Sequence, residues 1–135
     1  MMIIAIPVVK AGDRYYLSPH FGRAPYFAII EVENSRYRFR EVVENPHIDH
    51  ERGKGAAVAN LLISRDVNAV IALSIGYRLF VRLKEHGVKI YLIPENIRGL
   101  VSLEAAVEML INGKLEEAEK PQEYQKQAEP DHLNS

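Results

Sequence analysis

The stretch at 53–73, "GKGAAVANLLISRDVNAVIAL", decides the fold class. Its first part, "GKGAAVANLLISRD", reads as a buried, alanine-rich helix opened by two glycines. The second part, "VNAVIAL" (67–73), is apolar on both sides of a pleated strand. Such a strand must be covered twice, which requires helices on both faces of the sheet.

Working outward toward the C-terminus, a helix at about 77–86 stops at Gly87, and "VKIYLI" (88–93) is the last strand. Leu103, Ala106, Val107, Leu110 and Ile111 form one helical stripe, with Ser102 as N-cap and Asn112-Gly113 as the stop. Toward the N-terminus, "IIAIPVV" (3–9) and "YFAIIEVE" (26–33) are strands rich in isoleucine and valine. A third, "RYRFREVV" (36–43), follows after only Asn34 and Ser35, a hairpin signal. If Glu33 faces Arg36, then Glu31 faces Arg38 and Ile30 faces Phe39, so charges and apolar groups both match. The arginines at 36, 38 and 40 therefore read as cross-strand partners of Glu31 and Glu33 rather than as a phosphate-backbone patch. Pro7 lacks a ladder donor and should lie where the first strand begins to leave the sheet.

The order strand, strand, strand, helix, strand, helix, strand, helix implies an α/β domain. The expected fold is a ribonuclease-H-like three-layer α/β/α arrangement whose five-stranded mixed sheet has its second strand antiparallel. The domain spans 1–115. Residues 116–135, "EEAEKPQEYQKQAEPDHLNS", are too polar to offset their ordering entropy and read as a flexible tail.

Composition narrows the function. A chain of 135 residues can bury about two-thirds of its unfolded surface, and the absence of cysteine excludes disulfides and thiolate-held zinc or iron–sulfur centres. With 17 basic and 18 acidic residues, no global field attracts nucleic acid or membrane. The seven-residue apolar start is too short for a signal peptide or a span, so a cytoplasmic protein is expected.

Four of the five strands point one way, so the loops after the first, third, fourth and fifth all emerge at one carboxyl end, where ligands bind in such sheets. The first loop, "SPHFGRAPYF" (18–27), carries His20, Gly22 and Arg23 between two prolines, with Pro19 and Phe21 limiting the direction of the imidazole. The second brings His47, His50 and "RGKG" (52–55), the third "SIG" (74–76). Gly53, Lys54 and Gly55 offer free amides, a helix dipole and cations to an anion, although the same glycines would equally permit close packing. Ser74 and Gly76 form a similar turn with the same ambiguity. His47 and His50 have a spacing that can chelate, but a short exposed loop holds neither ring firmly. His86 fits a helix cap, and His132 lies in the tail. The first strand bears no carboxylate, which argues against metal-dependent phosphodiester cleavage.

"MIIAIPV", "SPHFGRAPYFAIIEVE", "RGKGAAVANLLISRDVNAVIALSIG" and "HGVKIYLI" together resemble the dinitrogenase iron–molybdenum cofactor biosynthesis family over roughly 2–113. That family includes NifX- and NafY-type accessory proteins and the C-terminal domain of NifB. The resemblance implies a non-enzymatic carrier of an iron–sulfur or iron–molybdenum cofactor or its precursor. Carried over by position, the motif residues are His20, Phe21, Gly22 and Arg23, with Gly53, Lys54, Gly55, Ser74 and Gly76 completing the cofactor cradle. His20 is the candidate metal ligand. An anionic metal–sulfide cluster would favour cations and backbone amides, with imidazole as an exchangeable ligand. A phosphate- or nucleotide-binding module and an interaction module for a cofactor-assembly partner are the rival readings.

Overall fold

A computed structural model of the chain describes residues 1–49, 53–97 and 99–123. Among these residues, six strands and three helices follow in the order β1 (Met2–Ala11), β2 (Arg14–Leu17), β3 (Tyr26–Glu33), β4 (Arg36–Glu44), α1 (Lys54–Ile63), β5 (Ala69–Ala72), α2 (Tyr77–Glu85), β6 (Lys89–Leu92) and α3 (Leu103–Ile111). The sheet runs β4-β3-β1-β5-β6, with β2 paired to β1 alone. β1, β4, β5 and β6 share one direction and β3 opposes them. This is the expected ribonuclease-H-like arrangement with one strand added.

The added strand corrects the expectation of five. β2 folds back on β1 with Ala11 opposite Arg14 and Val8 opposite Leu17. The two-residue turn between them, Gly12-Asp13, has Gly12 at φ +64°, the glycine-first signal of a tight hairpin. Pro7 also sits differently from the expectation, because β1 continues past it to Ala11. β5 pairs with Ile4 and Ala5, whereas β2 begins at Val8. Pro7 falls in the gap between them, and its carbonyl points to that side, accepting from the Ser18 N–H at 2.9 Å. Its missing donor would have pointed the same way, so the one bond forgone is the reciprocal one to the Ser18 carbonyl, at the end of the β1–β2 ladder.

The β3–β4 hairpin has the expected register, with Glu33 opposite Arg36, Glu31 opposite Arg38 and Ile30 opposite Phe39. Asn34 and Ser35 take φ of 54° and 65°, the left-handed pair whose twist suits a two-residue hairpin loop. Arg38 meets Glu31 at 2.6 Å and Arg40 reaches the same carboxylate at 3.6 Å. A bulge between Ile29 and Ile30 shifts the register beyond them, so that Glu41 rather than Arg40 faces Ile29.

Alternation along the strands divides the core into two layers. Ala5, Phe27, Ile29, Val70, Ala72 and Ile90 face one side, where Val58 and Leu62 of α1 and Leu79, Phe80 and Leu83 of α2 cover them. Ile4, Ile6, Val8, Ala28, Ile30 and Ile71 face the other, against Leu103, Ala106 and Val107 of α3. Ser102 caps α3 as expected, its hydroxyl accepting the Ala105 N–H at 3.1 Å.

Residues 116–123, expected in a flexible tail, are instead laid along the edge of the sheet. The Ala118 N–H donates to the Ile90 carbonyl at 2.7 Å and the Ile75 N–H donates to the Gln122 carbonyl at 2.7 Å. Leu115 is buried, and Lys84 pairs with Glu117 at 3.1 Å. The physical reason is that β6 is an edge strand with unpaired backbone groups, and main-chain pairing needs no apolar side chains. The remainder of the expected tail, 124–135, lies outside the described residues.

Candidate functional site

Between β2 and β3, the loop 18–25 is stiffened by buried polar ties. The Ser18 hydroxyl donates to the His20 carbonyl at 2.8 Å. Ser74, buried at the end of β5, donates its hydroxyl to the Pro19 carbonyl at 2.6 Å, joining the first loop to the third. Asn45, buried just after β4, donates through Nδ2 to the carbonyls of Gly22 at 3.0 Å and Ala24 at 2.8 Å. The Oδ1 of the same residue accepts the His47 N–H at 2.9 Å. Phe21 turns inward onto Phe27, with ring centroids 5.9 Å apart, and anchors the loop hydrophobically. With its neighbours fixed in this way, His20 and Arg23 are carried on the exposed side of a rigid turn.

That turn forms one wall of a cleft of about 480 Å³ lined by His20, Phe21, Gly22, Arg23, Lys54, Ser74, Gly76 and Glu123. A second part of about 370 Å³ shares Gly22, Lys54, Gly76 and Glu123, and adds Gly55, Tyr77, Arg78 and Leu79. Three separate loops thus meet at the carboxyl end of the sheet. Both α1 and α2 begin at this cleft, and among the described residues neither N-terminus has a side-chain cap or an acidic residue in its first turn. Each instead carries a cation there, Lys54 in α1 and Arg78 in α2. A cation at the positive end of a helix dipole is electrostatically unfavourable by some tenths of a kcal/mol. Two such placements, together with Arg23, concentrate positive potential on one opening. An anion entering it would meet amide donors and three cationic side chains.

The predicted glycines divide into different roles. Gly53, at φ +72°, is the left-handed N-cap of α1 and does not line the cleft. At Gly55 a Cβ would come within 3.3 Å of the Leu79 backbone nitrogen, so this glycine lets α1 cross close to α2. For Gly55 the close-packing alternative holds, although it also lines the adjoining part of the cleft. A Cβ at Gly22 would meet the Lys54 side chain at 3.3 Å. Gly76 is extended and open, with no atom within 4 Å of the point a Cβ would occupy, so its backbone is free to face a ligand.

His47 is half-buried in the loop after β4 and does not line the cleft, while His50 lies outside the described residues. Among the described residues no group of three or more histidines and carboxylates could hold a metal ion. His86, by contrast, behaves as a helix-end residue, its Nδ1 3.0 Å from the Arg82 carbonyl.

Asn45, Arg78 and Glu123 are the residues that the sequence reading missed. Asn45 stood in an Asn-Pro turn signal after β4, and Arg78 was legible as a cation misplaced in the first turn of a helix. Glu123 had no signal, because it reaches the cleft only through the main-chain pairing of 117–122. A larger concavity, about 690 Å³, lies at the opposite end of the sheet between Met1, Glu31, Glu33, Asn34, Arg36, Tyr37 and Arg38. Its charges are of both signs and Glu31 is already engaged by Arg38 and Arg40, so it lacks the excess of cations found at the cleft.

Fold and cleft together define a small three-layer α/β/α domain with a cationic opening at the carboxyl end of its sheet. The chain belongs to the dinitrogenase iron-molybdenum cofactor family, whose sequence pattern matches residues 2–113. It is 33% identical over 119 residues to an uncharacterized protein of Methanocaldococcus jannaschii, covering 88% of this chain and 93% of that one. A Thermotoga protein described as a candidate NifB protein of the DUF35 family is 31% identical, with a TM-score of 0.70 over 95% of this chain and all (100%) of that one. The apo form of the orange protein from Desulfovibrio gigas shares the fold at a TM-score of 0.75 and 22% identity, covering 91% of this chain and 98% of its own. No helix among the described residues is long and apolar enough to cross a membrane.

Proposed function

We propose that this protein is a non-enzymatic binder or carrier of an anionic metal–sulfur cofactor, iron–sulfur or iron–molybdenum in type, or of its precursor. The observation that carries this reading is the convergence of two uncapped helix N-termini, Arg23, Lys54 and Arg78 on one open cleft that also holds His20. Membership of the family supports the cofactor class. The chemistry is that of reversible custody: amides and cations hold the charge of the guest, and an imidazole supplies one exchangeable bond to metal. His20 is the proposed ligand, Arg23, Lys54 and the α1 and α2 amides the cradle, and Asn45 and Ser74 hold the loop that presents the imidazole. A carrier must release what it holds, which an open cleft permits. An assembly protein that loads or unloads the guest is the expected partner class, and the cytoplasm the expected setting.

Anaerobic titration with tetrathiomolybdate, a coloured metal–sulfide dianion, and separately with a synthetic four-iron cluster tests the proposal. Wild type should bind at least one of them, and Arg23→Ala with Lys54→Ala should weaken binding about tenfold, falling off as salt is raised. His20→Ala should alter the visible spectrum of the bound guest. Equal uptake and identical spectra for wild type and His20→Ala would remove the histidine from the mechanism. The same uncapped amides also suit phosphate, so stabilisation of the metal-free protein by phosphate or nucleotide, with neither metal–sulfur probe bound, would favour the phosphate-binding alternative.

A further inference from the structure

Glu123 is the single acidic side chain lining either part of the cleft among the described residues. It arrives on the segment after α3. Leu115 is buried, Ala118 is tied to Ile90, and Glu117 pairs with Lys84, so the first half of the segment is firmly seated. The second half is exposed at Glu119 and Lys120, and its described tie is the bond from the Ile75 N–H to the Gln122 carbonyl. Ile75 lies between Ser74 and Gly76, both of which line the cleft. The last hydrogen bond of the segment is therefore made to the rim of the opening itself, one residue before the carboxylate.

We propose that Lys114–Glu123 is a competing strap: the Glu123 carboxylate occupies part of the cationic field of the cleft, and an anionic guest binds against it by loosening the Ile75–Gln122 tie. This rests on the reading of the cleft as an anion site. The strap makes the site selective, because a weakly charged anion gains little from a field already partly answered by a carboxylate. A compact dianion gains more and displaces it. Departure of the guest allows the strap to return, which favours release.

The test uses the full chain and its Glu123→Gln, Glu123→Lys and Glu119→Gln variants, titrated with tetrathiomolybdate and with sulfate, together with amide exchange at Ile75. Glu123→Gln should bind both anions about three- to tenfold tighter, Glu123→Lys tighter still, and Glu119→Gln as wild type does. Saturating wild type with tetrathiomolybdate should speed exchange at the Ile75 amide. Weaker binding of tetrathiomolybdate by Glu123→Gln would mean that the carboxylate is a ligand, and would overturn the proposal. Unchanged affinity, or an Ile75 amide indifferent to the guest, would overturn it equally while leaving the cleft as an anion site. Failure of wild type and Glu123→Gln alike to take either anion would instead sink the reading of the cleft, and the strap with it.

Discussion

Replacing Asn45 with alanine should loosen the loop that presents His20 and Arg23 before it affects the sheet. The side chain makes three hydrogen bonds, to the Gly22 carbonyl at 3.0 Å, the Ala24 carbonyl at 2.8 Å and the His47 N–H at 2.9 Å. The Ala24 bond is buried and the other two are partly buried. Losing a buried partner costs about 1–3 kcal/mol, whereas the partly exposed groups recover most of their loss from water, at about 0.5 kcal/mol each. The sum is about 2–4 kcal/mol. For a chain of 135 residues the unfolding entropy is about 0.28 kcal/mol/K, so the Tm should fall by about 7–14 °C. Asn45→Asp should be worse than alanine, because it retains the acceptor for His47 but turns a carboxylate toward two carbonyls. Thermal and urea unfolding of the three proteins would measure this, with tetrathiomolybdate affinity as the functional readout. An alanine variant within about 0.5 kcal/mol of wild type, or an aspartate variant more stable than alanine, would refute the argument that Asn45 ties the loop.

Three further outcomes follow from the geometry. Gly55→Val should push α1 from α2 and destabilise by about 2 kcal/mol, because its Cβ would stand 3.3 Å from the Leu79 backbone nitrogen; denaturant unfolding checks this. Ser35→Gly should raise stability by about 0.5 kcal/mol, relieving a serine at φ 65° in the hairpin turn, and an unchanged or lower Tm would count against the strained turn. Glu31→Gln should cost no more than about 1 kcal/mol, and less at high salt, since Arg38 is mostly exposed where it meets Glu31 at 2.6 Å; a loss that ignores salt would contradict it.

Much of the architecture was legible because the local patterns agree with it. The apolar run Ala69–Ala72 is buried on both faces, as a strand without a polar side must be. The hairpin register could be counted residue by residue, since a two-residue turn fixes which residues face each other. Ser102 and the Leu103–Val107 stripe marked α3 through capping and period alone. β2 was missed although Gly12-Asp13 carried its signal, and the seating of 117–122 was missed because main-chain pairing at an edge leaves no mark in side-chain pattern.

The amino-acid sequence alone determined the class of fold, the direction of four parallel strands and the end of the sheet where the loops gather, because each follows from periodicity, turn chemistry and crossover handedness. Tertiary structure decided which loop residues share a cleft. Folding brought His20, Arg23, Lys54, Ser74 and Gly76 together, placed Gly55 at a helix crossing, left His47 outside and brought Glu123 to the same opening. The physical reason is range: periodicity is a property of neighbours in the chain, whereas a binding cleft is made by backbone segments far apart along it, such as Ser74 and Pro19, 55 residues from each other.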